Sequence, residues 1–473
     1  MVTVAATRPG PVIPPDFLGL SLETPALHSA AIASSTSSLV HLLSGLGAGV
    51  LRISGNSVDH TQWLSSRSRA APWATTTLTP ADLQSVAALM RASGWRLSLG
   101  LDLGHTVPQS IVDEARAATS IIGPSLAGFE LGNEPDLYTR PPARPFRSIL
   151  GEQALRPPGW GLSDYEVEVA RLGTLLAQAG VAAPLWAPDT ATGNWLDGYA
   201  TAAGVVALTP HLYPLDRCQG GRLTAKPSLS SLLARGVARH ESLLVQRDAR
   251  AAASRALPLR IDETNSVACA GQPGTSDTFG AALWALDYAL IAARQGVAGL
   301  NFHGALGSCR EGGTIVSPWY SPLCELAGGQ LRARPEYYAL LLLRSLEGCA
   351  FVSATYRTSR NVSVYALRAP DGTLRVVIDD MQLPAGAASR TGRKSRAGPV
   401  RVVLKVEPAY QHAGVTRLSA PSPYAKGAVT LGGASLRPDG TLPAPVPTAV
   451  SGSSGRFVLR VAAGSAAVVS LAP

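Results

Sequence analysis

The chain of 473 residues carries little charge for its length: 15% of residues are charged, 6% are aromatic, and there are three methionines and five cysteines. It has no charge-free apolar run of the roughly 18 residues that a membrane-spanning helix requires, so a membrane protein is disfavoured. The opening MVTVAATRPGPVIPP lacks the apolar stretch of a secretory signal, so either a signal has been removed or export by that route is not expected. Cys218, Cys269, Cys309, Cys324 and Cys349 stand singly, with no C-x-x-C pair. That spacing argues against a zinc or iron–sulfur centre and leaves room for one or two disulfides with a thiol over. No G-x-G-x-x-G or P-loop string joins a strand to a helix, which disfavours nucleotide chemistry.

What is present points to a packed, turn-rich protein. Apolar residues make up 46% of the chain, with 47 glycines and 36 prolines, which excludes wholesale disorder. The formal net charge of +9 favours a polyanionic neighbour: nucleic acid, anionic lipid or acidic polysaccharide.

Eight short β-prone runs alternate with helical patterns: Phe17 to Leu22, Val50 to Ser54, Arg96 to Leu101, Ala127 to Gly132, Pro184 to Pro188, Val205 to Pro210, Leu257 to Asp262 and Gly299 to His303. The helical patterns include Asp82 to Arg91 and Asp277 to Arg294, with Trp284, Tyr288 and Ile291 at helical spacing. This alternation predicts an α/β fold, a (β/α)8 barrel over residues 16–335. From 336 to 473 the pattern becomes alternating strands between turns, at Asn361, Thr373, Val400, Arg456 and Ala466, which predicts an appended antiparallel β-sandwich. Residues 1–15 begin with strand-like VTVAA, expected to join the sandwich as an edge.

In such a barrel, reactive residues sit at the C-terminal ends of the strands. Those positions hold Glu23, Ser54 to Asn56, Asp102, Asn133, Glu134, Asp189, His211, Tyr213, Glu263, Asn265 and His303. Glu134 and Glu263 follow the fourth and seventh strands, on opposite sides of a small barrel. Two carboxyls facing across a pocket can hydrolyse a glycosidic bond, one protonated to expel the leaving oxygen and the other ionised to attack the anomeric carbon. Glu134 suits the acid/base role, because Asn133 beside it can reach a sugar 2-OH. Glu263 suits the nucleophile, held ionised by the Tyr213 hydroxyl. Retention of configuration requires carboxyls about 5–5.5 Å apart.

The strings LGNEPDLY at Leu131 and RIDETNS at Arg260, with FLGLSLE at Phe17, LRISGNSVD at Leu51, HLYP at His211, SDTFGAALWALDY at Ser276 and NFHG at Asn301, resemble glycoside hydrolase family 79 over essentially the whole chain. The resemblance implies a retaining exo-acting β-glucuronidase, releasing glucuronic acid or its 4-O-methyl form and needing no metal or cofactor, with a heparanase-like endo-acting enzyme on acidic polysaccharides as the alternative. A catalytically silent carbohydrate-binding protein using the same cleft is the contrasting class. It further implies Glu134 as acid/base, Glu263 as nucleophile, Asn133 at the 2-OH, Tyr213 donating to the nucleophile and Glu23 at the 4-OH, with His303 also in the substrate site. For the uronate carboxylate, the loop GALGSCREGGTIVSPWYSPLC from Gly304 offers Tyr320 and Arg310, and an Arg fork suits a carboxylate. The implied substrate is a uronic-acid-containing carbohydrate rather than nucleic acid or membrane, and the implied location is secreted or extracytoplasmic.

The remaining features have blander readings. Asp102, Glu23 and His303 can serve as buried residues that orient neighbours. Arg390, Arg393, Lys394, Arg396, Arg401 and Lys405 form an acid-free run that reads first as a solvated sandwich loop and second as a polyanion contact. RPPARPFR from Arg140 is expected to border the substrate cleft. Cys269 and Cys309 are expected near each other, so a disulfide between them, or from either to Cys324, is open. The N-x-S string at Asn361 is too common to indicate glycosylation.

Overall fold

The computed structural model describes residues 1–5, 9–65, 69–218, 227–327, 329–384 and 397–472. Eight parallel strands close into a barrel: Leu18–Glu23, Val50–Ser54, Arg96–Leu101, Leu126–Leu131, Leu185–Thr190, Val205–Leu212, Arg260–Thr264 and Gly299–Gly304. All are buried almost throughout, because helices cover their outer face and side chains fill the interior, hence their near-continuous apolar runs. Every expected strand position is occupied. The helices are less regular than (β/α)8 requires. Among the described residues the fifth strand is followed by only a 3-10 turn, Gly193–Trp195, with Leu196 and Tyr199 beyond it packed into the barrel core.

The barrel's last helix is Pro335–Arg344, started by a proline at its first turn and packed against Phe279–Arg294. The β domain is therefore entered at Ala350, not at 336. Its strands do not form two separate antiparallel sheets. They join in one ring, because His412–Ser419 pairs with both Thr448–Ser453 and Ser465–Ala472. The ring contains one parallel step, between Val2–Ala5 and Val400–Lys405. The N-terminal strand is thus interior to the ring, flanked on its other side by Ala350–Tyr356, and is not an edge. The chain leaves and re-enters the β domain at one place, where Gly10 N–H donates to the Phe351 carbonyl (2.8 Å) and Ile13 N–H to that of Cys349 (3.0 Å).

Strands Val362–Arg368, Leu374–Asp380, His412–Ser419 and Ser465–Ala472 bury both faces. Val364, Val376 and Val469 enter the ring's own core, while Tyr365, Val377 and Val468 join the barrel core. The Tyr365 hydroxyl seals the junction by donating to Asp287 Oδ1 at 2.6 Å. Among the described residues no helix is long and apolar enough to cross a membrane.

Candidate active site

A charged residue inside an apolar strand must find partners, because an isolated buried ion is very costly. Arg52, in VLRIS of the second strand, is wholly buried and meets this demand with all three nitrogens. Nε donates to Glu130 Oε2 at 2.6 Å, Nη1 to Ser21 Oγ at 3.0 Å and Glu263 Oε2 at 2.8 Å, and Nη2 to Asn133 Oδ1 at 3.0 Å and Asp189 Oδ2 at 2.7 Å. One guanidinium thereby ties the first, fourth, fifth and seventh strands.

Glu263 also accepts from the Tyr213 hydroxyl at 2.8 Å, with His303 Nδ1 at 3.7 Å and His211 Nδ1 at 3.9 Å. Burial alone would push its carboxyl up. Attraction to His303, His211 and Arg52, with the Tyr213 bond, outweighs burial and holds it at about 2. Glu134 is pushed the other way, up from its ordinary value, chiefly by burial, against the opposing bond from His211 Nδ1 at 3.0 Å. One oxygen of each glutamate and one ring nitrogen of His211 lie within 4.8 Å of one another.

His211 is itself raised well above the usual imidazole value: burial works to discharge it, but Glu263 and Asp189 outweigh burial. As an imidazolium it donates to Glu134 Oε1 and, through Nε2 at 3.1 Å, to Asp189 Oδ1. Burial raises Glu130 and Asp262, while Arg52 and His211 overcome burial to lower Asp189. Two cations, Arg52 and His211, thus face two firmly ionised carboxylates, Asp189 and Glu263, and the other three acids are driven toward their neutral forms. Glu134, His211 and Glu263 form one three-donor group and Asp189, His211 and Asp262 another. Arg52 already bonds one member of each, Glu263 in the first and Asp189 in the second.

Backbone geometry aims these groups. Glu134 (φ 51°) and Asp189 (φ 58°) both adopt the left-handed region, and Glu134 N–H donates to the Asp189 carbonyl at 2.8 Å. Gly132, at φ 77°, admits no side chain, since a Cβ there would run into the Tyr138 hydroxyl and Leu103. Asn133 is fixed at its backbone by Asp59 Oδ2 (3.2 Å) and at Oδ1 by Arg52, leaving Nδ2 buried and without a partner among the described residues. Asp59 is raised to about 7 by burial and by Asp102, which places Asp102 behind the site as a neighbour of Asp59.

Glu23 is occupied by the loop after the second strand, accepting from Asn56 N–H (3.2 Å), Ser57 N–H (2.8 Å) and Ser57 Oγ (2.5 Å), with His303 Nε2 at 3.7 Å. His303 is oriented by Ser21 Oγ at 2.9 Å from Nδ1. Tyr320 is buried with its ring 6.1 Å from Tyr213 and 5.8 Å from His303. Arg310 lies exposed on the same loop, its backbone N–H donating to Ser308 Oγ at 3.1 Å. The structure thus brings Glu134, Glu263, Asn133, Tyr213, Glu23, His303 and Tyr320 together and leaves Arg310 on the surface. Asn265 serves the wall, its Nδ2 donating to the His303 carbonyl at 2.9 Å.

Two disulfides staple the mouth. Cys309–Cys324 closes the loop after the eighth strand, one of the pairings left open. Cys269 pairs with Cys218, not with Cys309 or Cys324, because the loops after the sixth and seventh strands lie side by side, and Cys349 is free and buried. Phe146, from RPPARPFR, packs with Leu150 against Ala270 and Ile315, so that segment meets the loops after the seventh and eighth strands.

Arg52, Glu130 and Asp262 are functional residues that the motifs do not single out, although Arg52 and Glu130 each stand as a lone charge in an apolar strand, VLRIS and LAGFEL, and Asp262 lies between Arg260 and Glu263 in RIDET. Matching those lone charges against one another would have exposed the hub.

Solved structures of similar fold are glycoside hydrolases. A 4-O-α-L-rhamnosyl-β-D-glucuronidase from Fusarium oxysporum 12S superposes with a TM-score of 0.75 at 18% identity, covering 99% of both chains. An arabinofuranosidase from Xanthomonas axonopodis pv. citri superposes with a TM-score of 0.68 at 13% identity, covering 100% of this chain and 99% of that one. In sequence, the chain is similar to curated β-glucuronidases, 28% identical over 226 residues to one from Aspergillus niger and 27% over 235 residues to one from Neurospora crassa. These matches take in 44% and 45% of this chain and only 39% and 37% of the relatives' lengths. No family model matches the chain.

Proposed function

We propose that this protein is a retaining exo-acting β-glucuronidase that releases glucuronic acid, or its 4-O-methyl form, from glycans or glycoconjugates. The observation that carries the reading is the opposed setting of two neighbouring carboxyls, Glu263 held at about 2 and Glu134 pushed up. In the first step Glu263 attacks the anomeric carbon and Glu134 gives its proton to the leaving oxygen; in the second Glu134 takes a proton from water, which displaces Glu263. The approach of one oxygen of each carboxyl to within 4.8 Å supports the close spacing that retention needs. The Asn133 Nδ2, buried and without a partner among the described residues, suits the sugar 2-OH, Glu23 the 4-OH, and Tyr320, beside Tyr213 and His303, the carboxylate, since Arg310 lies exposed away from them. The β-glucuronidase relatives support a uronic acid as the sugar. The two disulfides support an oxidising, extracytoplasmic setting.

The test is hydrolysis of an aryl β-glucuronide beside the corresponding glucoside, xyloside and arabinofuranoside; cleavage of a neutral glycoside alone overturns the reading. Glu263→Ala should abolish turnover, whereas Glu134→Ala should keep measurable turnover of glucuronides with activated aryl leaving groups. Equal loss in two folded variants would overturn the role assignment. Slow release of monosaccharide without early shortening of a polymer marks exo action.

A further inference from the structure

The five strands of the β-domain ring that do not contribute to the barrel core are Val2–Ala5, Ala350–Tyr356 (save Phe351), Val400–Lys405, Thr448–Ser453 and Arg456–Val461, and none contains an aspartate or glutamate. Within them, register sets cation directly opposite cation: Arg401 faces Arg460, and Lys405 faces Arg456. All four are exposed, while the residues alternating with them, Val402, Leu404, Phe457 and Leu459, are buried in the ring's core. The four cations therefore project from one outer face, with Val403 and Val458 between the two pairs and Val458 41% exposed. Like charges directly opposite across an antiparallel pair repel and destabilise the sheet.

The same registers extend one row across the face. Ser453 lies beside Arg456, Lys405 beside Thr3, and Thr3 beside Thr355, all exposed. At about 4.8 Å per strand, this row of Ser453, Arg456, Lys405, Thr3 and Thr355 runs roughly 19 Å. Arg401 and Arg460 form a second cationic point about 13 Å along the strands. An extended face whose strands present cations and hydroxyls and no acid matches an extended chain carrying regularly spaced carboxylates and hydroxyls.

We propose that this outer face is a second, non-catalytic binding surface for an acidic polysaccharide, which keeps the protein on a uronate-bearing polymer. The choice of polysaccharide over other polyanions rests on the glucuronidase reading of the barrel. The cationic face itself is independent of that reading. The hydroxyls beside the cations, with Val458 exposed between the two pairs, suit sugar rings better than a phosphate backbone.

The test compares the full chain with the R401S/K405S/R456S/R460S variant and with the charge-keeping R401K/K405R/R456K/R460K variant. Binding to polyglucuronate, dextran, a DNA duplex and phosphatidylserine vesicles is measured at low and physiological salt, alongside hydrolysis of a small aryl β-glucuronide. Expected is an affinity loss for polyglucuronate of about tenfold in the serine variant, a little under twofold per exposed cation, with a shallower salt dependence. The charge-keeping variant should bind like the parent, and aryl glucuronide hydrolysis should not change in either. Unchanged polyglucuronate affinity in a serine variant with the parent's melting temperature overturns the proposal, as does tighter binding of the parent to DNA or vesicles than to polyglucuronate. Failure of the parent to cleave any glucuronide overturns the barrel reading instead, and is read from a separate assay.

Discussion

At Arg52 a single buried guanidinium meets three acids, an amide and a hydroxyl, and the site's charge balance depends on it. Removing one member of a buried ionic network leaves its partners unpaired, so Arg52→Ala should destabilise the fold by about 3–5 kcal/mol in urea unfolding. Arg52→Lys should recover little of that, because a point charge cannot serve Glu130, Glu263 and Asp189 at once. A variant as stable as the parent would show that the hub is not a structural keystone. Tyr213 tests the electrostatics more selectively. Its hydroxyl is one of the groups holding Glu263 at about 2, and the nucleophile must be ionised. Loss of one hydrogen bond to a charged group should move the acidic limb of kcat/KM upward by about one to two pH units in Tyr213→Phe. The limb moves up because the carboxylate gains a proton more readily. An unshifted limb would assign Tyr213 to packing alone.

Among elements, what could be read from the chain depended on whether a strand's neighbours are fixed by order or by long-range register. The eight barrel strands were legible because each is a buried apolar run paired with its neighbour in sequence, so local pattern and topology agree. The ring strands Ala350–Tyr356, His412–Ser419 and Thr448–Ser453 were passed over, since their partly exposed residues give weak alternation. Likewise Glu134 and Glu263 were legible from their motifs, whereas Arg52 belongs to the site through contacts 31 to 211 residues away in sequence. The disulfides were ambiguous for the same reason, and they give a prediction at this scale. Cys218 and Cys269 are separated by 51 residues and Cys309 and Cys324 by 15. On the loop-closure account, C218S/C269S should cost about 4 kcal/mol and C309S/C324S about 3 kcal/mol in chemical unfolding. The reverse order would mean that the shorter loop, which carries Tyr320, is held in the native state by more than its link.

For the whole molecule, buried acids set the pH at which the fold is most secure. Burial raises Glu114 to about 8 and Asp59 to about 7, and it drives Glu241, Glu336 and Asp379 well above the usual carboxylate range. A carboxyl raised on folding holds its proton in the folded state while the unfolded chain has lost it. Its contribution is therefore complete below the unfolded value of about 4 and disappears as pH climbs through the folded one. His211, also raised, changes in the same direction. Glu263 and Asp189 are lowered and act oppositely, but Glu263 loses its contribution only as pH falls from about 4 toward 2. The two sets together leave a stability maximum in mildly acidic solution, above the range where Glu263 is protonated and below the range where Asp59 and Glu114 ionise. The urea midpoint should accordingly be higher at pH 5 than at pH 8. Glu114→Gln should reduce that difference, because a neutral amide carries no proton to lose. A midpoint that rises from pH 5 to pH 8 would mean that these carboxyls reach solvent in the folded protein and that the net charge of +9 governs stability instead, since its self-repulsion eases as pH rises.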